Sequence, residues 1–523
     1  MRTHQLPRRG RVRFLTLAAL VPILLLAACT AGPSTRPAVV ENDGPAPTGR
    51  PGGPSREVPL PRLEQPRGAS IEWSDCGDET RQRLGDGAAR AGLSYSCARL
   101  TTTLDAPGLP ARGLTRIAVL KAGDGPIPLV VVNDIDGEPG TLHAARLAAE
   151  LPPELLETFS LVGMDRRGTG DSDAVRCIPS DVRTTLLGHD PADGVGPLLD
   201  AARTAGQQCA INLEDEQGAF DSWRTAGDLD ELREQLGLSR LNALGHGEGS
   251  RVVAIYGARY PGRVGRVVLD GMPDPSTDHA SVLDGVAGGA EATLDAFGAD
   301  CAQRGCPLGP DARGAVSALA EQLDRRPATS AEGYRITRAA ALRGILAGLS
   351  ERHRWPELAD AIAAARTGDP EGLMAFLRPH LVEDQLQAAR LDGTIATRCN
   401  DTPARLPGDQ LSARTRELAT KHPLFGGVVA QELVWCNPWP SRGDDPPAIG
   451  ADGTPPMVVI STATDPVTPE QGTIRAAERM PSAVRVAWQG AGHHAFGSAC
   501  VAEAVRAFLV DGEVPEDGTL CPA

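Results

Sequence analysis

The stretch Leu241–Gly271, LNALGHGEGSRVVAIYGARYPGRVGRVVLDG, has the spacing of a covalent catalyst without its reactive atom. It reads as a strand, a glycine-rich turn, a helix and a second strand. In a G-x-S-x-G turn of this kind, the central serine sits on a sharp strand-to-helix bend with its hydroxyl exposed for attack on an acyl carbon. Here the five positions are Gly245-His246-Gly247-Glu248-Gly249, so the outer glycines put Gly247, with no side chain, at the centre. Other residues at such a bend carry ~1–3 kcal/mol of backbone strain that glycine avoids. The substitution therefore relieves strain while deleting the chemistry. Ser250, three residues on, offers the next hydroxyl, but its place in the first helical turn directs it toward packing.

The elements that must position this turn are legible in the apolar pattern. Continuous β-branched or apolar runs predict strands at Thr115–Leu120, Leu129–Asn133, Phe159–Gly163, Leu241–Leu244, Val264–Leu269, Met457–Ser461 and Val484–Trp488. Unbroken rather than alternating apolar character suits parallel strands covered on both faces. Helical patterns lie between them, as in Thr225–Leu236, and the layout is α/β, a mostly parallel doubly wound sheet. Strand signals stop over 276–396, where Trp355–Arg366 and Glu371–Leu377 have helical spacing. This predicts a helical cap inserted between a first core part, 68–275, and a second, 397–523.

The ends of the chain speak to location. Five arginines precede an apolar run that closes in Leu26-Ala27-Ala28-Cys29. Residues 1–28 thus read as a secretory signal, and a cysteine after L-A-A is the bacterial lipobox, predicting a lipid on Cys29 and a membrane-anchored, exported protein. Residues 29–67, rich in Pro, Gly and charge, read as a disordered tether. The formal charge of −15 becomes −20 once the five signal arginines are removed, which argues against nucleic acid as a partner. Apart from Cys29 there are ten cysteines, and an even number in an exported chain predicts disulfides. Their order along the chain suggests Cys76–Cys97, Cys177–Cys209, Cys301–Cys306, Cys399–Cys436 and Cys500–Cys521, although order alone does not prove connectivity. No CxxC pair, HExxH or similar spacing marks a metal site, including for His246, Glu248, His493 and Asp465 taken together. The sequence therefore predicts no metal and no cofactor.

Many segments in one order carry a resemblance. "IEWSDC", "VGMDRRGTGDSD", "YPGRVGRVVLDGMPDP", "RCND", "WCNPWP", "STATDPVTPEQG" and "GAGHHAFGSACV" run from Ile71 to the C-terminus. In them the chain resembles the tripeptidyl-aminopeptidase-like family of exported α/β hydrolases, related to the proline iminopeptidases. The resemblance implies an α/β-hydrolase core with a cap, and metal-free cleavage of peptides near their N-terminus by Ser, Asp and His. It makes Asp465 the triad acid and His493 the triad base, with His494 the neighbour most easily confused with it. It also implies an oxyanion hole from main-chain amides near Glu248 and in "NDIDGEPG", where Gly137 remains but Glu138 replaces a glycine. Two added carboxylates, Glu138 and Glu248, would oppose developing negative charge or favour an amine.

Two functional expectations follow. In the first, the chain is a pseudo-hydrolase that binds peptides or small amines without covalent catalysis. In the second, it is an active hydrolase in which His493 and Asp465 activate water beside Gly247.

Overall fold

The computed structural model describes residues 58–523 apart from 86–89, 91, 108, 385–386 and 441–446, so the expected signal peptide, Cys29 and the tether up to residue 57 lie outside it. The last ten tether residues are not free. Leu60 and Leu63 pack on the core, and the Arg67 amide donates to Gly237 O over 2.9 Å. Apolar side chains at 60 and 63 dock this segment, so the folded region begins ahead of the expected residue 68.

The strands form one ten-stranded sheet. In chain order they are β1 (Ser74–Asp75), β2 (Tyr95–Thr103), β3 (Leu114–Ala122), β4 (Ile127–Val132), β5 (Phe159–Met164), β6 (Leu241–His246), β7 (Val264–Asp270), β10 (Met457–Thr464), β11 (Ala483–Ala491) and β12 (Thr519–Cys521). A separate hairpin in the helical region supplies β8 (Ala328–Thr329) and β9 (Arg335–Ile336). The spatial order is β1-β2-β3-β5-β4-β6-β7-β10-β11-β12, antiparallel from β1 through β5 and parallel from there on. A mostly parallel sheet with the chain reversing at its centre is the α/β-hydrolase topology. It makes the carboxyl ends of β4 and β6 neighbours, where ligands bind in open α/β sheets.

Every strand predicted from sequence is present. The strands missed were β2, whose polar run "YSCARLTTT" lacks a continuous apolar signal, and the two- and three-residue pieces β1, β8, β9 and β12. Within the parallel strands the period of two is visible in the packing. Leu129 and Val131 join the core formed with helix Gly140–Glu150, while Val130 and Val132 join the core formed with helices Ser222–Gln235 and Glu248–Arg259. The "DRRG" loop after β5 is fixed by a buried, two-pronged pair: Arg167 Nε and Nη2 donate to Asp228 at 2.8 and 2.7 Å.

The helical insertion is longer than the 276–396 expected. Helices continue from His279 to Cys436, and two more, Ser180–Gly188 and Gly196–Leu213, share their apolar core. The earlier pair is recruited by a polar tie that sequence separation conceals: Asp392 Oδ2 accepts the amides of Cys177 and Ile178 at 2.8 and 2.9 Å. The cap is thus assembled from two chain segments.

Five disulfides close as the order of the cysteines suggested: 76–97, 177–209, 301–306, 399–436 and 500–521. Cys399–Cys436 joins two cap helices, Arg390–Asp401 and Gly426–Cys436. Alkylation followed by mass spectrometry of the protein produced in an oxidising compartment should find none of these ten thiols free. Replacing Cys399 and Cys436 together by serine opens a span of 37 residues and should cost ~4 kcal/mol of stability on the chain-entropy account, read by denaturant unfolding.

Candidate functional site

Gly247 stands at the apex of the strand-to-helix turn with φ 55° and ψ −122°, and its amide donates to Asp270 O over 2.9 Å. Positive φ favours glycine, and the flanking glycines are required by close approach. A Cβ on Gly245 would lie 2.5 Å from Ser250 Cα, and one on Gly249 would lie 2.1 Å from Val132 O. Ser250 is fully buried with its hydroxyl toward Asp270 O at 3.5 Å, facing packing as its helical position implied.

Asp465 follows β10 and His493 follows β11. Asp465 accepts the Val467 and Thr468 amides at 2.7 and 2.8 Å and the Thr468 hydroxyl at 2.8 Å, which fixes the carboxylate. His493 Nδ1 lies 3.0 and 2.9 Å from its two oxygens. Acid and base are therefore paired, as their positions after consecutive strands imply.

The other side of His493 is occupied. Nε2, the nitrogen that would serve a serine, lies 2.7 Å from Asp134 Oδ2. Asp134 is the second residue of "NDIDGEPG", just beyond β4, and its Oδ1 accepts the Glu248 amide over 2.6 Å. That amide is one of the two expected oxyanion donors. A Cβ built on Gly247 would fall 2.1 and 2.3 Å from the Asp134 carboxylate oxygens. The Asp134 carboxylate thus fills the space of a side chain at 247, caps the histidine and takes the amide.

The electrostatics follow from this placement. Burial works against a charged His493, but the carboxylates of Asp465 and Asp134 outweigh it and hold the imidazolium well above its ordinary value. Burial likewise opposes ionisation of Asp134, yet His493 keeps its carboxyl well below the usual range. With both ring nitrogens donating, His493 has no lone pair with which to take a proton.

The two glutamates raised by the sequence do line the cavity wall, but neither opposes an oxyanion. Glu138 turns onto Arg146, whose Nε and Nη2 donate at 3.0 and 3.1 Å. Glu248 is held by Arg398 Nε at 3.1 Å, and the same guanidinium reaches Asp136 at 3.0 Å and Glu432 at 2.9 Å. Gly137 also lines the cavity, and its amide donates to Asp134 O at 3.3 Å, which shapes the loop.

A second layer of histidines surrounds Asp134. His246, the last residue of β6, has Nε2 3.7 Å from Asp134 Oδ2 and Nδ1 3.7 Å from Asp270 Oδ2. His143 stacks on it with ring centroids 5.5 Å apart, and burial together with neighbouring His246 pushes the pKa of His143 down to about 3. His494 pairs with a different carboxylate from His493, its Nδ1 lying 2.9 Å from Asp270 Oδ2. One ligand-capable atom each from Asp134, His246 and His493 lies within 4.8 Å of the others. The sequence missed this set because its members come from three strand ends and share no local spacing. An aspartate directly after a central strand was the available signal.

The site opens into a cavity of about 1930 Å³ between the sheet ends and the cap. Comparison with known proteins agrees with this architecture. Residues 422–521 match the family model described as TAP-like protein. In that segment the chain resembles TAP-like proteins. The chain is 27% identical over 490 residues to the serine protease Hip1 of Mycobacterium tuberculosis, covering 88% of this chain and 92% of that one. It is 27% identical to carboxylesterase B of the same species over 86% and 89% of the two chains. With the tripeptidyl aminopeptidase of Streptomyces lividans it shares 24% identity over 70% and 71%.

The carboxylate pairing sets a pH signature. His493 has a raised folded pKa, so its contribution is fully present below about 6.5, the ordinary value, and is lost as pH rises through the folded one. The Asp134 contribution, from a depressed pKa, is present above 3.8 and lost as pH falls. Nitrogen NMR of chelator-treated protein at pH 7.5 should show His493 as imidazolium, and Asp134→Asn should move its titration to lower pH. Unfolding free energy should decline more steeply above pH 6.5 in the wild type than in Asp134→Asn.

Proposed function

We propose that this chain is a non-acylating TAP-like protein that binds peptides or small amines in its capped cavity, on the outer face of the cell membrane through a lipid on Cys29. The observation that carries the reading is the Asp134 carboxylate in the space a nucleophile at 247 would need, bonded to His493 Nε2 at 2.7 Å. A hydrolase of this fold forms its acyl-enzyme through a hydroxyl at that position and a histidine lone pair. Both are missing here, and the Glu248 amide is already engaged.

Peptide binding is supported by the cavity and by the relatives. At about 1930 Å³ it exceeds the ~300–1,000 Å³ of small-molecule sites, which leaves room for several residues of extended chain. Its wall mixes apolar side chains such as Phe376 and Trp435 with the cations Arg343 and Arg390. Relatives named as a protease and a tripeptidyl aminopeptidase share most of the chain. Export is supported by the five disulfides, which persist in oxidising compartments. No helix among the described residues is long and apolar enough to cross a membrane.

A fluorophosphonate probe tests the reading on the purified full-length chain. Wild type should remain unlabelled, and so should Gly247→Ser, because its side chain meets Asp134. Gly247→Ser combined with Asp134→Gly frees the histidine and the amide, and should label at residue 247. Equilibrium dialysis against a mixture of tri- to pentapeptides should show retention by wild type. Stoichiometric labelling of wild type, or peptide turnover that vanishes in His493→Ala, overturns the proposal in favour of a working hydrolase.

A further inference from the structure

The ends of three sheet strands place two imidazoles and a carboxylate around one point beside Gly247. His493 Nε2 lies 2.7 Å and His246 Nε2 3.7 Å from the same oxygen, Asp134 Oδ2. All three residues are at most 8% exposed, and all line the cavity. We infer that Asp134, His246 and His493 form a binding site for one divalent transition-metal ion of the Zn²⁺ type, with a fourth position open to the cavity.

Donor chemistry and spacing support this. Two imidazole nitrogens and one carboxylate make a ligand set of the open, three-residue kind that zinc accepts. Zinc–ligand bonds of ~2.0–2.2 Å in tetrahedral geometry put ligand atoms about 3.3 Å apart. The two observed separations, 2.7 and 3.7 Å, bracket that value, so the first opens and the second closes by about half an ångström.

An independent observation lies behind the ligands. Among the described residues, His246 Nδ1 is buried without a hydrogen-bond partner, although Asp270 Oδ2 is only 3.7 Å away. Ligating histidines present one nitrogen to the metal and donate the other N–H to a carboxylate or carbonyl. With Nε2 of His246 on a metal, its proton sits on Nδ1 and points at Asp270. His493 already has the same arrangement, with Nδ1 against Asp465 at 2.9 Å. Each imidazole is therefore backed by its own aspartate. Asp134 is oriented by the Glu248 amide. Gly247 leaves the carboxylate room, since a Cβ there would lie 2.1 Å from Oδ1.

Binding is balanced by one proton. The ion displaces the proton between His493 Nε2 and Asp134, which leaves His493 as a neutral imidazole with Nδ1–H on Asp465 and releases the proton to solvent. A competing set, His246, Asp270 and His494, shares one histidine. Its Asp270 Oδ2 already accepts from His494 Nδ1 at 2.9 Å and the Ala495 amide at 3.2 Å, so it suits a supporting role better than ligation.

The test is Zn²⁺ titration of the chelator-stripped full-length chain by calorimetry in two buffers of different ionisation enthalpy, with Co²⁺ absorption as the spectroscopic signature. Wild type should bind one equivalent, release about one proton and give the visible bands of four-coordinate Co²⁺. Asp134→Asn and His246→Gln should each abolish that site, Asp465→Asn should weaken it about 10–100-fold, and His494→Ala should retain it. Circular dichroism checks that each variant is folded, and the near-isosteric Asp134→Asn suffices if His246→Gln is not. The inference is overturned if folded wild type shows no saturable binding. It is equally overturned if binding survives Asp134→Asn, or is lost in His494→Ala while Asp134→Asn keeps it. Covalent labelling plays no part in this readout, so failure here leaves the non-acylating reading to its own test.

Discussion

The Asp134 carboxylate and a side chain at position 247 cannot occupy the site together, and much of the local structure is arranged around that exclusion. Gly249 lets the turn approach the end of β4, where a Cβ would lie 2.1 Å from Val132 O, and the loop after β4 places the Asp134 carboxylate against Gly247. Once there, Asp134 meets a histidine on one oxygen and a helix N-terminal amide on the other. Such an arrangement is stable for a buried carboxylate, because both charge and hydrogen-bonding capacity are matched. It also explains why restoring a serine alone does not restore a triad: the hydroxyl, the histidine nitrogen and the amide are all claimed by the same group.

Around this centre the buried charges occur in compensated sets. Asp465 and Asp134 bracket His493, Asp270 takes His494, and Arg398 from the cap joins Glu248, Asp136 and Glu432. Breaking a buried pair by removing one partner is more costly than its net contribution would suggest, because the other charge is left uncompensated. The Arg398 contacts also couple the cap to the elbow helix, and the His493 amide, donating to Ser350 O at 3.2 Å, couples the cap to the loop after β11. Cap position and site geometry are thus mechanically linked, with Cys399–Cys436 anchoring the helix that carries Arg398.

The architecture was legible wherever an element is buried on both faces. Runs such as "IPLVVV" have no polar side to hide, so their apolar continuity marks them as central parallel strands. Strand β2 was not legible, because its antiparallel position near the sheet margin permits polar residues throughout. Recruitment of 180–213 to the cap depended on Asp392 reaching backbone amides more than 200 residues away in sequence, and its extension to Cys436 on side chains such as Leu418 and Val428 joining the same apolar core. Local pattern carries no trace of such a contact. Leu60 and Leu63 were similarly hidden in a Pro- and charge-rich stretch that composition marked as tether.

At the site, sequence alone determined the absence of a hydroxyl at the turn, since flanking glycines with close backbone approach leave no other register. Through the family resemblance it also implied the Asp465–His493 pairing, and the order of the cysteines suggested the disulfide connectivity. Tertiary structure decided the rest. Whether Glu138 and Glu248 face the cavity bare or paired depended on arginines from a neighbouring helix and from the cap. That Asp134 meets His493 across 359 positions, and that His246 stands beside both, depended on strand order placing β4, β6 and β11 so that their carboxyl ends converge. Residue types fix which groups can bond, but only the three-dimensional path of the chain fixes which of them meet.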